Sequence, residues 1–477
     1  MNKFLITIFS ILSVVVLAAC SDDDSFSANT SNKLSFECDT LSFDTLFAEV
    51  NSPTSSFWVY NNSSDGIRLS SVRLSGGNQK GFRVNVDGME LNSKNGYIVS
   101  DIDIRKGDSI RVFVEALIPK NAKDGFLTTE DKLQFTLQSG VVQDVVLSAT
   151  SINAISMRNV VVRRDSIITG SKPIIVYGGI TVDSAATLTI GQGTTLYFHD
   201  GAGIDVYGRL LISGDTSSVV TLRSDRLDKL FPYLPYDHLV GQWRGIHFFS
   251  SSYDNEIVNA DIHGAVDGIV CDSSDVNRKK LLLENVIVHN CMGYGVKLTS
   301  CAAGFYNCQF SNALQNCLAV CGGNILINSC TIAQFYSLNI SDYALLFTNK
   351  NDNISYPLVR FAMYNSIVTG FKDDEVLGDG DTISAFSYAF DHCLLKTSET
   401  KNDSIRNVIF ENNDSTIHSE KNFIKISTDS LYYNFRLDSL SRAIRAADPK
   451  TSLQYDLNGH RRNIIAPSLG CYEYTDD

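Results

Sequence analysis

Asn285-Val286-Ile287-Val288, Asn307-Cys308-Gln309-Phe310 and Ser329-Cys330-Thr331-Ile332 repeat one phrase at steps of 22 residues. A small polar residue opens each, and a short apolar alternation follows. That period belongs to single-coil repeats stacked along an axis, not to a globular sheet of hairpins. The phrase returns 26 residues earlier as Asn259-Ala260-Asp261-Ile262, and after 36 and 27 residues as Asn365-Ser366-Ile367-Val368 and His392-Cys393-Leu394-Leu395. A coil absorbs such variation by enlarging one loop.

Alternation this brief is the signature of a strand and too short for an amphipathic helix. A second strand follows each phrase, in Gly268-Ile269-Val270, Gly295-Val296-Lys297-Leu298 and Cys317-Leu318-Ala319-Val320. If successive coils pair in parallel, Val286, Cys308, Cys330 and Cys393 form one inward stack, where cysteine serves as a small core residue. The chain contains no CxxC pair, so these cysteines do not read as a metal site. The pattern resembles the right-handed parallel β-helix proteins, the pectate-lyase-like repeats, over about two thirds of the sequence. The resemblance implies an all-β solenoid over residues 154–440, of roughly ten to thirteen coils counting the closing segment.

The 477 residues, 44% of them hydrophobic, suffice for more than one core. Lys3, an apolar run to Val16 and then Leu17-Ala18-Ala19-Cys20 make a segment too short to span a bilayer comfortably, ending in a processing site. This resembles the lipobox of bacterial lipoproteins, implying a signal peptide over 1–19 and an acylated Cys20. Ser21 with Asp22, Asp23 and Asp24 resembles the signal that sends lipoproteins of the Bacteroidetes to the outer face of the outer membrane. A lipid anchor there, facing the cell exterior, is the implied address. Residues 20–32 are small and polar and read as a tether. A net charge of −13 without a basic stripe argues against nucleic acid as a partner. Export permits disulfides among the ten remaining cysteines, but their connectivity stays open.

Residues 33–152 alternate as short strands, among them Phe57-Trp58-Val59-Tyr60 and Phe82-Arg83-Val84-Asn85-Val86, separated by turns such as Ser75-Gly76-Gly77-Asn78. Strands of this number and length predict a β-sandwich. The layout is similar to immunoglobulin-like domains of the ASH/Hydin kind, which implies a spacer. Asp followed by Ser or Thr and an aliphatic residue or Thr occurs ten times, as at Asp108-Ser109-Ile110 and Asp438-Ser439-Leu440. This resembles the O-glycosylation sequon of exported Bacteroidetes proteins, and Asp-Ser is also an ordinary turn former.

In the first coils, alternation places Ile204, Val206 and Leu210 inside and Asp205, Tyr207 and Arg209 outside. An insertion at 226–240 carries Phe231, Tyr233 and Tyr236 and leads to Trp243. These four aromatics are the candidate glycan contact, because ring faces stack on sugars; the alternative is that they cover an open part of the coil. Residues 441–477 contain Asp456-Leu457-Asn458-Gly459-His460-Arg461-Arg462 and Gly470-Cys471-Tyr472-Glu473. They resemble the closing segment of bacterial extracellular β-helix proteins, with Arg445, Ala447 and Cys471 departing from its pattern, and the resemblance implies a cap over the last coil.

Lyase chemistry needs a charge-neutralising group and a base, and hydrolase chemistry needs two spaced carboxylates. Neither local signature is present. The coil register brings Asp261, His263 and His289 together on the outside, with Arg244 and His247 expected one coil earlier. The preferred reading is a surface-anchored binding or scaffold protein, with polysaccharide as the candidate ligand and no cofactor or metal. The alternatives are a polysaccharide lyase or glycoside hydrolase, with Ca2+ entering only for the lyase, and a protein-binding adhesin.

Overall fold

A computed structural model describes residues 25–337, 342–351, 354–411 and 418–475. Cys20, Ser21, Asp22, Asp23 and Asp24 lie outside the described residues. The chain divides after Asn153 into two compact units. The first is a sandwich of two sheets. One sheet joins Ser35–Phe36, Ser55–Tyr60, Ser109–Ala116, Phe82–Val86 and Met89–Leu91. The other is built on Thr40–Phe47, Val142–Ile152, Phe126–Leu137 and Ile67–Leu74. Alternate residues such as Phe57, Val59, Ile67, Leu69, Val112 and Phe135 fill the space between them. Thr40–Phe47 pairs in parallel with Val142–Ile152, an early strand that the hydrophobic pattern does not announce.

The second unit is a parallel β-helix. A single sheet of 26 strands winds through it, and each full coil turns through three faces. The first face carries Arg209–Ser213, Ala302–Tyr306 and Gly323–Asn328; the second carries Val220–Ser224, Gln309–Ala313 and Thr331–Gln334; the third carries Ile246–Phe248, Val296–Thr299 and Leu318–Cys321. Asn255–His263 and Lys279–Cys291 are long because each rounds the corner from the first face to the second.

That corner explains the repeated phrase. Asn259, Asn285, Asn307, Ser329, Asn365 and His392 all take positive φ, between 49° and 55°. Among L-residues, Asn and His are enriched in the left-handed region. The turn that each opening residue makes aims the next side chain inward: Ala260, Val286, Cys308, Cys330, Ser366 and Cys393 are at most 1% exposed. None of the described cysteines is in a disulfide. Burial drives the Cys330 thiol well above its usual pKa and Cys393 to about 12, so both remain neutral and act as core.

The C-terminal segment packs on the outer side of the later coils, where Ala443, Ala447, Leu469 and Cys471 cluster with Ala333, Ile367 and Leu394. It lies along the flank of the helix, at the corner just described. Arg462 Nη2 donates to Asn307 Oδ1 at 2.9 Å, Asn328 Nδ2 to the Thr451 carbonyl at 2.8 Å, and the Gly470 amide to the Asn365 carbonyl at 2.8 Å. The Asp-x-x-Gly-x-x-Arg motif serves this docking. Asp456 accepts the amides of Asn458, His460 and Glu473, folding the loop so that buried Arg462 reaches Asn307. Arg445, one of the departures from the family pattern, takes φ +59°.

Candidate functional site

The outward side of the second face carries the chemistry. His263 and His289 stand on adjacent rungs in register, their rings stacked at 4.7 Å. His263 Nδ1 lies 2.6 Å from Asp261 Oδ1, and His289 Nε2 lies 3.3 Å from the same oxygen. The residue that the repeat pattern did not reveal is Asp237, which descends from the insertion. Its Oδ1 lies 2.8 Å from His263 Nε2 and 2.7 Å from Arg223 Nη2. Its signal in the sequence was Tyr236-Asp237-His238, where the aromatic side chain drew attention and the carboxylate beside it did not.

Burial opposes the charge on His263, but Asp261 and Asp237 override it and raise its pKa to about 9. Burial also opposes the charge on Asp261 and Asp237, yet the histidines, and Arg223 for Asp237, hold both below the usual carboxylate range. The group is an ion-pair network centred on an imidazolium. Ligand-type atoms of Asp261, His263 and His289 lie within 4.8 Å of one another. Both nitrogens of His263 face carboxylates, which favours the doubly protonated ring, and in that form the ring has no lone pair for a cation.

The network lies beside a pocket of about 400 Å³, within the usual range for small-molecule sites. Asp261, Ile287, His289, Gln309 and Ser311 form its floor, and its walls come from His238, from residues 431–436 and from Asn458 and Tyr472. Residues 431–436 belong to a hairpin, Phe423–Ser427 with Tyr432–Leu437, whose Phe423 and Phe435 pack against Phe335. Tyr472 donates to Gln309 Oε1 at 2.9 Å. Asn290 and Tyr433 also line the pocket, but Asn290 Oδ1 and the Tyr433 hydroxyl are closed off from solvent, without a hydrogen-bond partner among the described residues, and Tyr433 packs against the apolar cluster of Leu234, Tyr336 and Leu431.

The proposed aromatic contact divides. Phe231 and Tyr233 are exposed and stack on each other at 5.7 Å, whereas Tyr236 is half-buried under the Arg226 guanidinium at 3.6 Å. Trp243 is 1% exposed. It stacks on Phe198 inside the coil at 4.3 Å and donates to the His263 carbonyl at 2.7 Å, so it is core and unavailable to a ligand. Arg244 and His247 also stand apart from the histidine pair: Arg244 pairs with Asp205, and His247, on the third face, pairs with Asp272.

No protein-family model and no curated protein matches the sequence. Among solved structures, pectate lyase Pel9A is 12% identical with a TM-score of 0.30, covering 68% of this chain and 88% of its own. The catalytic unit of a GH87 α-1,3-glucanase from Streptomyces thermodiastaticus is 9% identical with a TM-score of 0.22, covering 75% and 88%. The ASH/PapD-like domain of human CEP192 is 12% identical with a TM-score of 0.17, covering 26% and 87%. These scores are low, and the functional reading rests on the residues alone.

Proposed function

We propose that this protein is a glycan-binding β-helix, held at the cell surface through an acylated Cys20, and that the pocket on its second face is the binding site. The observation that carries the reading is the make-up of that pocket. Planar amides and carboxylates pair with neighbouring hydroxyls, and aromatic faces cover the apolar face of a sugar ring. Asn434 and Asn458 supply the first kind and Tyr432 the second, while Gln309 is held in the floor by Tyr472 and Ser311.

On a polysaccharide array, Tyr432→Ala and Asn434→Ala are each expected to weaken retention about tenfold, a loss of about 1.4 kcal/mol, with the melting transition unchanged. Tyr233→Ala, outside the pocket, is expected to bind as the parent does. Retention that survives both pocket substitutions but falls with Tyr233→Ala would return the site to the insertion.

A second reading has its own observation: His289 and Asp261 form a histidine–carboxylate pair facing the pocket, an arrangement suited to proton abstraction. A lyase would release ultraviolet-absorbing unsaturated products from acidic polysaccharides, and His289→Ala would abolish them. The anchor has a separate test. Cys20→Ser is expected to release the protein from the membrane, and neutral residues at Asp22, Asp23 and Asp24 to leave it lipidated but protected from protease applied to whole cells. Equal cleavage of that variant and the parent would overturn the export reading.

A further inference from the structure

Resting on the glycan-binding reading, we infer that the pocket takes the end of a saccharide chain and excludes its middle. A site for a chain's interior needs a groove with an exit at each end. On a β-helix such a groove would run along the axis, over successive outward residues of one face. Here the floor is open over three rungs, those of Asp261, Ile287 and Gln309. At a strand spacing of about 4.8 Å, the open floor is about 10 Å long.

Both ends are stopped. On the N-terminal side the next rung carries Thr221 and Arg223, and Asp237 is seated there with its carboxylate on Arg223. On the other side the next rung carries Thr331, whose Oγ1 accepts the Cys471 amide at 3.1 Å. Toward the third face, the insertion and the hairpin close on each other: Leu234 and Leu431 pack on Tyr336, and His238 Nδ1 lies 2.8 Å from the Ser430 carbonyl. What remains is a mouth facing outward. A polymer cannot thread such a pocket, but a terminus can enter it. A terminal sugar also carries a free hydroxyl where an internal unit has a glycosidic oxygen, and the polar lining, with Asn434 and Asn458 on the walls, offers partners for that extra group.

The test uses the full-length protein and immobilised homogalacturonan, alginate, xylan and β-glucan, each intact and after limited hydrolysis. Raising the number of chain ends about tenfold at constant mass is expected to raise retention about as much, and the free disaccharide is expected to compete within about threefold of the hexasaccharide. Retention that does not rise on hydrolysis, with the hexasaccharide competing tenfold or more better than the disaccharide, would overturn chain-end recognition and leave glycan binding standing. Retention on none of the four, intact or hydrolysed, would overturn both.

Discussion

Cys308→Asp is expected to unfold the β-helix. Cys308 is fully buried, its amide 3.3 Å from Cys330 Sγ and its own thiol donating to the Tyr306 carbonyl at 3.3 Å. The inward stack around it is apolar or weakly polar: Val286 precedes it and Cys330 follows. A carboxylate there loses its water and gains no cation, at a cost of about 4 kcal/mol or more. Stability in a solenoid is a sum over neighbouring coils, so the loss falls at the middle of the stack. Circular dichroism on heating should show the β-helix transition lost or lowered by tens of degrees. Cys308→Ala, which removes a sulfur and adds no charge, should keep a cooperative transition. An unshifted transition in the aspartate variant would mean that the side chain faces outward.

The second large effect is on pH dependence. His263 has its pKa raised to about 9 from a reference of 6.5, because two carboxylates face it, and its side chain is 8% exposed. A raised histidine stabilises the folded state fully below its unfolded pKa and loses that contribution as pH rises through the folded one. The shift corresponds to about 3 kcal/mol, to be lost between about pH 6.5 and 9. Asp261 and Asp237 act in the other direction: their lowered values stabilise above about pH 4 and lose that stability on acidification. The melting temperature should therefore hold from mildly acidic pH to neutrality and fall toward pH 9. His263→Gln should be less stable at pH 6 and show a flat profile across the same window. A parent profile as flat as the variant's would remove the imidazolium from the network.

The coil plan was legible because the corner imposes a backbone requirement. Asn285, Asn307 and Asn365 mark places where the chain needs positive φ, and the residue after each had to be small or apolar to point inward. The in-register meeting of Asp261, His263 and His289 followed from the same spacing. The pocket was not legible in this way. Asp237, Tyr433 and Tyr472 come from an insertion, a hairpin and a C-terminal segment whose positions depend on tertiary docking, and no local period records that. Trp243 misled for a related reason. Its neighbours Gln242 and Arg244 are polar and the aromatic insertion precedes it, yet the ring turns inward to stack on Phe198, as a large apolar side chain does whenever the interior can admit it.

The C-terminal segment bound along the flank changes how the stack can come apart. Coils that touch only their neighbours fray one at a time from an end, like coins leaving a roll. Here one length of chain is fastened to Asn307, Asn328, Thr331 and Asn365, on rungs well inside the helix. Those rungs must open together with the segment that ties them or stay closed. A tug transmitted through the N-terminus would meet its firmest resistance at these tied coils, the first of which, that of Asn307 and Gln309, also forms the last rung of the pocket floor.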